Sequence, residues 1–239
     1  MMKPMFTAAF VLVAAVSAAP TSQVPQVIHH PHPSLNVSTS GFTKKLTGCA
    51  RPLTDSQCES PTLQTLGCTS LSALDPLLGG LEPAYPIAWC LIWFPKKPPP
   101  PSEYVFGPQG LARVYSRYVI VDHGKLRLIR NHDELRATFA PIRSADEALS
   151  YALAATRLVP IYGIAAPAGF RYFTDRLEDT FVTTSAGGWR VHLFDPRVFG
   201  CGPHTMDSAD VEVTPDGAIR RLEETKLFED PKQDNLCVD

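Results

Sequence analysis

The chain has 239 residues, 44% of them hydrophobic, and 22 Lys and Arg set against 24 Asp and Glu give a formal net charge of −2. That length suits one domain of good size or two small ones. The near-neutral balance, with no long basic run, argues against nucleic acid and against an anionic membrane surface as partners.

The chain opens MMKPMFTAAFVLVAAVSAAP. Lys3, an apolar run from Phe6 to Val16 and a small-residue stretch form the pattern of a secretory signal peptide over residues 1–18, with cleavage expected after Ala18. The run falls short of the roughly 20 apolar residues a bilayer-spanning helix needs, and no later segment has the length and apolarity for a membrane span. The mature protein is therefore expected to be soluble and secreted or periplasmic. Residues 19–48, rich in Pro, Ser and Thr, predict a flexible leader. Within it His29, His30 and His32 form HHPH. These are solvated tail residues on the plainer reading and a transition-metal site on the alternative one, imidazole being a good ligand. Asn36 opens NVS, an acceptor sequon in a glycosylating source.

Residues 49–94 hold Cys49, Cys58, Cys68 and Cys90 and predict a small Cys-rich irregular unit. Short helical turns are expected, broken at Pro76 and at Gly79-Gly80. The apolar run from Ile87 to Phe94, bounded by prolines, predicts a buried strand. Trp89, Trp93 and Phe94 alternatively make a patch facing a ligand or a partner. Residues 95–102 include four consecutive prolines, Pro98 to Pro101. Such a run is extended and lacks amide donors, so it predicts a semi-rigid spacer between two units.

Residues 103–239 predict an α+β domain: an antiparallel sheet of hairpins packed with one or two helices. RYVIVDHGKLRLIRN reads as a hairpin turning at His123-Gly124. Asn131 with Glu134, and Ser144 with Glu147, have the spacing of capping boxes at the starts of two helices. In the second, Ala148, Leu149, Ala152, Leu153 and Thr156 make one apolar face. Two further hairpins are expected, turning at Gly187-Gly188 and at Asp216-Gly217. The helix IRSADEALSYALAATRL followed by GGWRVHLF and VEVTPDGAIRRL gives residues 141–223 a layout that resembles a PepSY-type domain. The resemblance implies a helix packed across a small antiparallel sheet, occurrence in exported proteins and peptidase propeptides, and binding or protease modulation without catalytic residues. Residues 195–209 depart from it as a long insertion before the final strands.

That insertion carries Cys201 three residues before His204, with Asp207 and Asp210 beyond. One reading is a metal site, but a closed zinc site needs four ligands and no second Cys-x-x-His or Cys-x-x-Cys pair exists. Another is a thiolate nucleophile, Cys201, with His204 as its base. The third is a disulfide. Six cysteines in an exported chain read first as bridges, and two of them lie beyond the proline run. Self-contained units would then pair Cys201 with Cys237, leaving Cys49, Cys58, Cys68 and Cys90 paired among themselves. On that reading His204, Asp207 and Asp210 are ordinary loop residues, and His192 faces solvent or a partial polar contact.

The chain lacks a Gly-x-Ser-x-Gly elbow, His-Glu-x-x-His, a P-loop, a dinucleotide fingerprint and an EF-hand loop. No cofactor is expected. The function these features favour is an exported, disulfide-containing, non-catalytic binding or protease-modulating module. The competing readings are a hydrolase with dispersed carboxylates, a thiol enzyme centred on Cys201 and His204, and a surface or envelope component packing through the aromatic run.

Overall fold

The structure is a computed structural model that describes residues 24–49, 53, 58–111 and 113–238; the signal peptide expected over 1–18 lies outside the described residues. In chain order the elements are β1 (Gln26–Ile28), α1 (Lys44–Thr47), α2 (Pro61–Thr65), β2 (Ser70–Ser72), β3 (Ile87–Trp93), β4 (Val114–Asp122), β5 (Lys125–Ile129), α3 (His132–Phe139) and α4 (Ala145–Ala155). They continue with β6 (Arg171–Tyr172), β7 (Arg176–Glu178), β8 (Phe181–Ser185), β9 (Gly188–Arg197), β10 (Gly200–Cys201), β11 (Thr205–Val213), β12 (Ile219–Glu229) and β13 (Cys237–Val238). The result is α+β with antiparallel sheets. One has the order β2-β3-β4-β5 and the other β6-β12-β11-β9-β8, with two small ribbons, β1-β7 and β10-β13. No helix among the described residues is long and apolar enough to cross a membrane.

The turn chemistry explains the hairpins. His123 and Gly124 both take positive φ, 48° and 73°, the geometry of a two-residue turn whose twist matches the strands it joins. The helix starts are built as their spacing suggests, with one difference. Asn131 accepts from the Glu134 amide at 2.9 Å and Ser144 from the Glu147 amide at 3.1 Å. The two glutamates then reach back past the capping residue, to the amides of Arg130 at 2.7 Å and Arg143 at 2.9 Å.

Helix α4 has more than one apolar face. Every residue from Glu147 to Ala154 is buried, because the helix lies between the two sheets. Ile120 and Ile129 of the four-stranded sheet and Val191, Leu193, Ala209 and Val211 of the five-stranded one belong to the same core as Leu149 and Ala152. A helix wrapped on all sides needs its surface apolar all round. Its two buried tyrosine contacts point opposite ways: the Tyr118 hydroxyl donates to the Ala154 carbonyl at 2.9 Å, and that of Tyr151 to the Gly217 carbonyl at 3.0 Å.

Three expectations are corrected. The proline-rich run does not divide the chain into separate units: β3 before it pairs with β4 after it, from Ile87↔Ile120 to Trp93↔Val114. Burying the apolar strand required a neighbour, and the nearest alternating partner lies beyond the spacer. The leader is not free where described. β1 pairs in parallel with β7, the Ile87 amide donates to the Ser38 carbonyl at 3.2 Å, and Leu35 and Val37 pack against the main core. Residues 24–43 thus form a strap across the molecule. It explains Gly79, where a Cβ would stand 2.4 Å from the Asn36 backbone, while helix α4 explains Gly80, where one would stand 2.6 Å from the Asp146 carbonyl. Residues there make a short 3₁₀ turn, Pro76–Gly80. Finally, residues 195–209 are only in part a connection between strands: 195–197 complete β9 and 205–209 open β11, which pair from Trp189↔Val213 to Arg197↔Thr205, and 198–204 join them through the short β10.

Candidate functional site

Cys201 is bridged to Cys237, and the earlier four cysteines pair as Cys49–Cys58 and Cys68–Cys90. Cys201 therefore offers no thiolate to act as nucleophile or metal ligand. His204 is not an exposed loop base: it is 7% exposed, with its ring nitrogens at 3.1 Å from the Gly200 carbonyl and 3.3 Å from the Gln233 side chain. Asp207 and Asp210, expected as loop acids, are buried strand residues on β11. The three leader histidines are dispersed. His29 meets Asp179 at 3.1 Å, His30 meets Glu178 at 2.8 Å, and His32 contacts the Pro33 carbonyl while its ring lies 4.5 Å from that of Tyr162. Among the described residues no three metal-ligating side chains form a group that could hold an ion.

The aromatic run of β3 is split by the alternation of the strand and by what lies on either side. Phe94 projects outward, 63% exposed, at a φ of 43°. Trp93 is anchored, its indole N–H donating to Ser70 Oγ at 3.2 Å. Trp89 stacks on Tyr118 of the neighbouring strand with ring centroids 4.3 Å apart, and meets the Phe106 ring edge-on at 5.8 Å. A bridge between Phe106 and Ser116 holds that ring beside β4 where β5 has ended.

These three rings line a cleft of about 300 Å³. Leu78 of the 3₁₀ turn and Leu74 just before it line the cleft, together with Leu153, Leu158 and Pro160 from the end of α4 and its continuation. A second cavity shares Asp75 and Pro160 with it and continues to His32 and Tyr162. Burial pushes the Tyr162 hydroxyl up to about 12, with the Asp179, Asp146 and Asp75 charges adding to the shift; the Tyr118 hydroxyl is also pushed up, by burial. Neither phenol ionises at ordinary pH, and the Tyr118 hydroxyl is a hydrogen-bond donor, to the Ala154 carbonyl. The cleft has two charged side chains. Asp75 caps the 3₁₀ turn by accepting from the Leu77 amide at 2.8 Å. Arg157 lies with its guanidinium 5.2 Å from the Phe106 ring centre and donates to the Gly107 carbonyl. A concave, mostly apolar space with a few convergent polar groups is the usual form of a small-ligand site.

A second constellation lies on the far face of the five-stranded sheet, and sequence reasoning missed it. His192 and Asp210 stand opposite one another in the β9–β11 ladder, with His192 Nδ1 at 2.7 Å from Asp210 Oδ1 and Arg190 Nε at 2.8 Å from Oδ2. Burial raises the Asp210 carboxyl, but these hydrogen bonds and charges outweigh it and hold the group below its ordinary range. Phe181 stacks on the imidazole at 5.0 Å. The only prior signal was that His192 sits on the strand face opposite Trp189, Val191 and Leu193; the sequence puts Asp210 in a loop, and nothing in the spacing gives the register that joins them.

No protein-family model matches the chain, and no curated protein or solved structure matches it either.

Proposed function

We propose that the chain is a secreted, disulfide-stapled binding protein whose ligand occupies the cleft lined by Trp89, Phe106 and Tyr118. The observation that carries this reading is the placement of Trp89: it lies between the buried Ala88 and Cys90, is itself only partly buried, and lines the cleft while stacked on Tyr118. Three disulfides suit an oxidising compartment, which agrees with the signal-like first residues. The finer reading is modulation of a peptidase. It is supported by α4 lying on the sheet whose strands β8, β9, β11 and β12 form consecutive antiparallel neighbours, the layout that the PepSY resemblance implies.

The test uses a Trp93→Phe/Trp189→Phe variant, which leaves Trp89 as the only tryptophan of the chain. Titration with a panel of small apolar compounds is expected to give a saturable change in its emission for at least one of them. Trp89→Ala in the wild-type background is expected to weaken that binding at least tenfold by calorimetry. A panel that gives no saturable change overturns the cleft reading.

A further inference from the structure

The cleft has an electrostatic imbalance. Arginines elsewhere in the chain are mostly matched to acids, as Arg117 is to Glu103, Arg171 to Glu229, Arg190 to Asp210 and Arg197 to Asp207. Arg157 has no carboxylate partner among the described residues; its contacts are one backbone carbonyl and the face of Phe106. Desolvation lowers its pKa, the direction expected of a cation that lacks a compensating charge. Asp75, the acid of the same cleft, is committed to the turn it caps and forms no ion pair with Arg157. A guanidinium presents five donors in a planar fork; Arg157 is exposed, and beyond the single bond to Gly107 its fork is open to water or to a ligand.

We infer that the ligand is a small apolar carboxylic acid, its carboxylate on the Arg157 fork and its body against Trp89 and Phe106. The inference rests on the cleft being the binding site. A fork of this kind matches a carboxylate in a bidentate fashion, and cation–π contact with Phe106 fixes the guanidinium plane at the cleft wall. One cation with an acid nearby suits a single negative charge, and the double charge of a phosphate would leave one charge facing Asp75 unmatched. The apolar walls from Leu74, Leu78, Leu153 and Leu158 take the remainder of the molecule, and the continuation past Pro160 towards Tyr162 gives room for a longer one.

Calorimetry with 4-phenylbutanoate and its neutral counterpart 4-phenylbutanamide tests this on the full chain. The acid is expected to bind at least tenfold tighter than the amide. Arg157→Gln is expected to abolish that preference by weakening the acid and leaving the amide unchanged, with an unaltered melting temperature as the check on folding. Arg157→Lys, which keeps the charge and loses the fork, is expected to fall between. Trp89→Ala weakens both compounds together. Equal affinity for acid and amide in the wild-type protein, or an acid preference that survives Arg157→Gln, overturns the carboxylate inference and leaves the cleft reading standing. Neutral apolar compounds that bind while 4-phenylbutanoate does not have the same effect. If neither compound binds and the apolar panel is also silent, both readings fall.

Discussion

The two sheets that enclose α4 are held together by different means. The four-stranded sheet and the segment before it carry two disulfides, Cys49–Cys58 and Cys68–Cys90, whose cysteines Cys49, Cys68 and Cys90 are buried beside Leu63, Leu71 and Val119. The five-stranded sheet relies on long ladders and on cross-strand charge pairs such as Arg197–Asp207 and Arg190–Asp210. Its one associated disulfide, Cys201–Cys237, ties exposed two-residue strands at its margin. The lesson is that the covalently stapled side is also the side that opens into the cleft. A ligand surface built on rigid elements loses less on binding, and here Trp89 stands next to Cys90, which is wholly buried.

The sharpest way to break that contrast is to remove one bridge at a time. Cys68→Ala/Cys90→Ala is expected to cost about 4 kcal/mol of unfolding free energy, from the closed loop it releases and the core volume it empties. Cys201→Ala/Cys237→Ala is expected to cost about half of that. Its loop is longer, a separation of 36 residues against 22, but without the bridge the exposed tail also gains freedom in the folded state, which offsets part of the effect. Denaturant titration of the two variants decides this; equal losses would mean that the margin is as tightly coupled to the core as Cys90 is.

A smaller effect concerns the strap. Asp179 accepts from the Ile164 amide at 2.8 Å and from the His30 amide at 3.2 Å. Burial raises its carboxyl, and hydrogen bonds from Ile164, Gly163, His30 and His29 outweigh that and hold it below the ordinary 3.8. Glu178 is likewise lowered from 4.5, by His30 and Arg176 acting against burial. A lowered carboxyl stabilises the fold fully above its unfolded value, and the contribution is lost as pH falls through the lower folded value. Hydrogen exchange of the amides in β1 is therefore expected to accelerate below about pH 4. Asp179→Asn is expected to bring part of that acceleration to neutral pH, at a local cost of roughly 1–3 kcal/mol. Unchanged exchange in the variant would assign the hold on the strap to its backbone pairing and to the packing of Leu35 and Val37 rather than to Asp179.

The smallest effect belongs to the exposed pair Arg136–Asp216 at the β11–β12 turn. Arg136→Ala is expected to leave the melting midpoint unmoved within error, as exposed ion pairs do. A clear drop would show that the five-stranded sheet draws on its outermost charges as well as its buried ones.

Much of the fold was legible because its signals are local. His123-Gly124 and Asp216-Gly217 mark turns by backbone conformation, and Asn131 and Ser144 mark helix starts by a hydrogen bond three residues long. The Cys201–Cys237 bridge was reached from the count of cysteines on each side of the proline run, although the premise of two self-contained units fails. What stayed hidden depends on contacts between distant residues. The strap has no periodicity of its own, and its backbone finds partners on β7 and β3. The clustering of aromatics in the apolar run marked Trp89 along with Trp93 and Phe94, yet Tyr118, Phe106 and Arg157 joined it only through sheet register and the run of the chain out of α4. His192 was visible as a polar strand position and Asp210 only as a loop acid; the ladder alone puts Asp210 on a strand and places the two face to face.

The strap also sets an order of events. His29 and Asp179 are separated by 150 residues, and Gln26 pairs with Arg176 across a similar span. During synthesis the first of these segments emerges long before its partner exists, so Leu35 and Val37 wait uncovered while β2, β3, β4 and both larger helices are made. Contacts of such sequence separation close slowly. Of the two segments, the earlier one is thus among the last parts of the described fold to find its place.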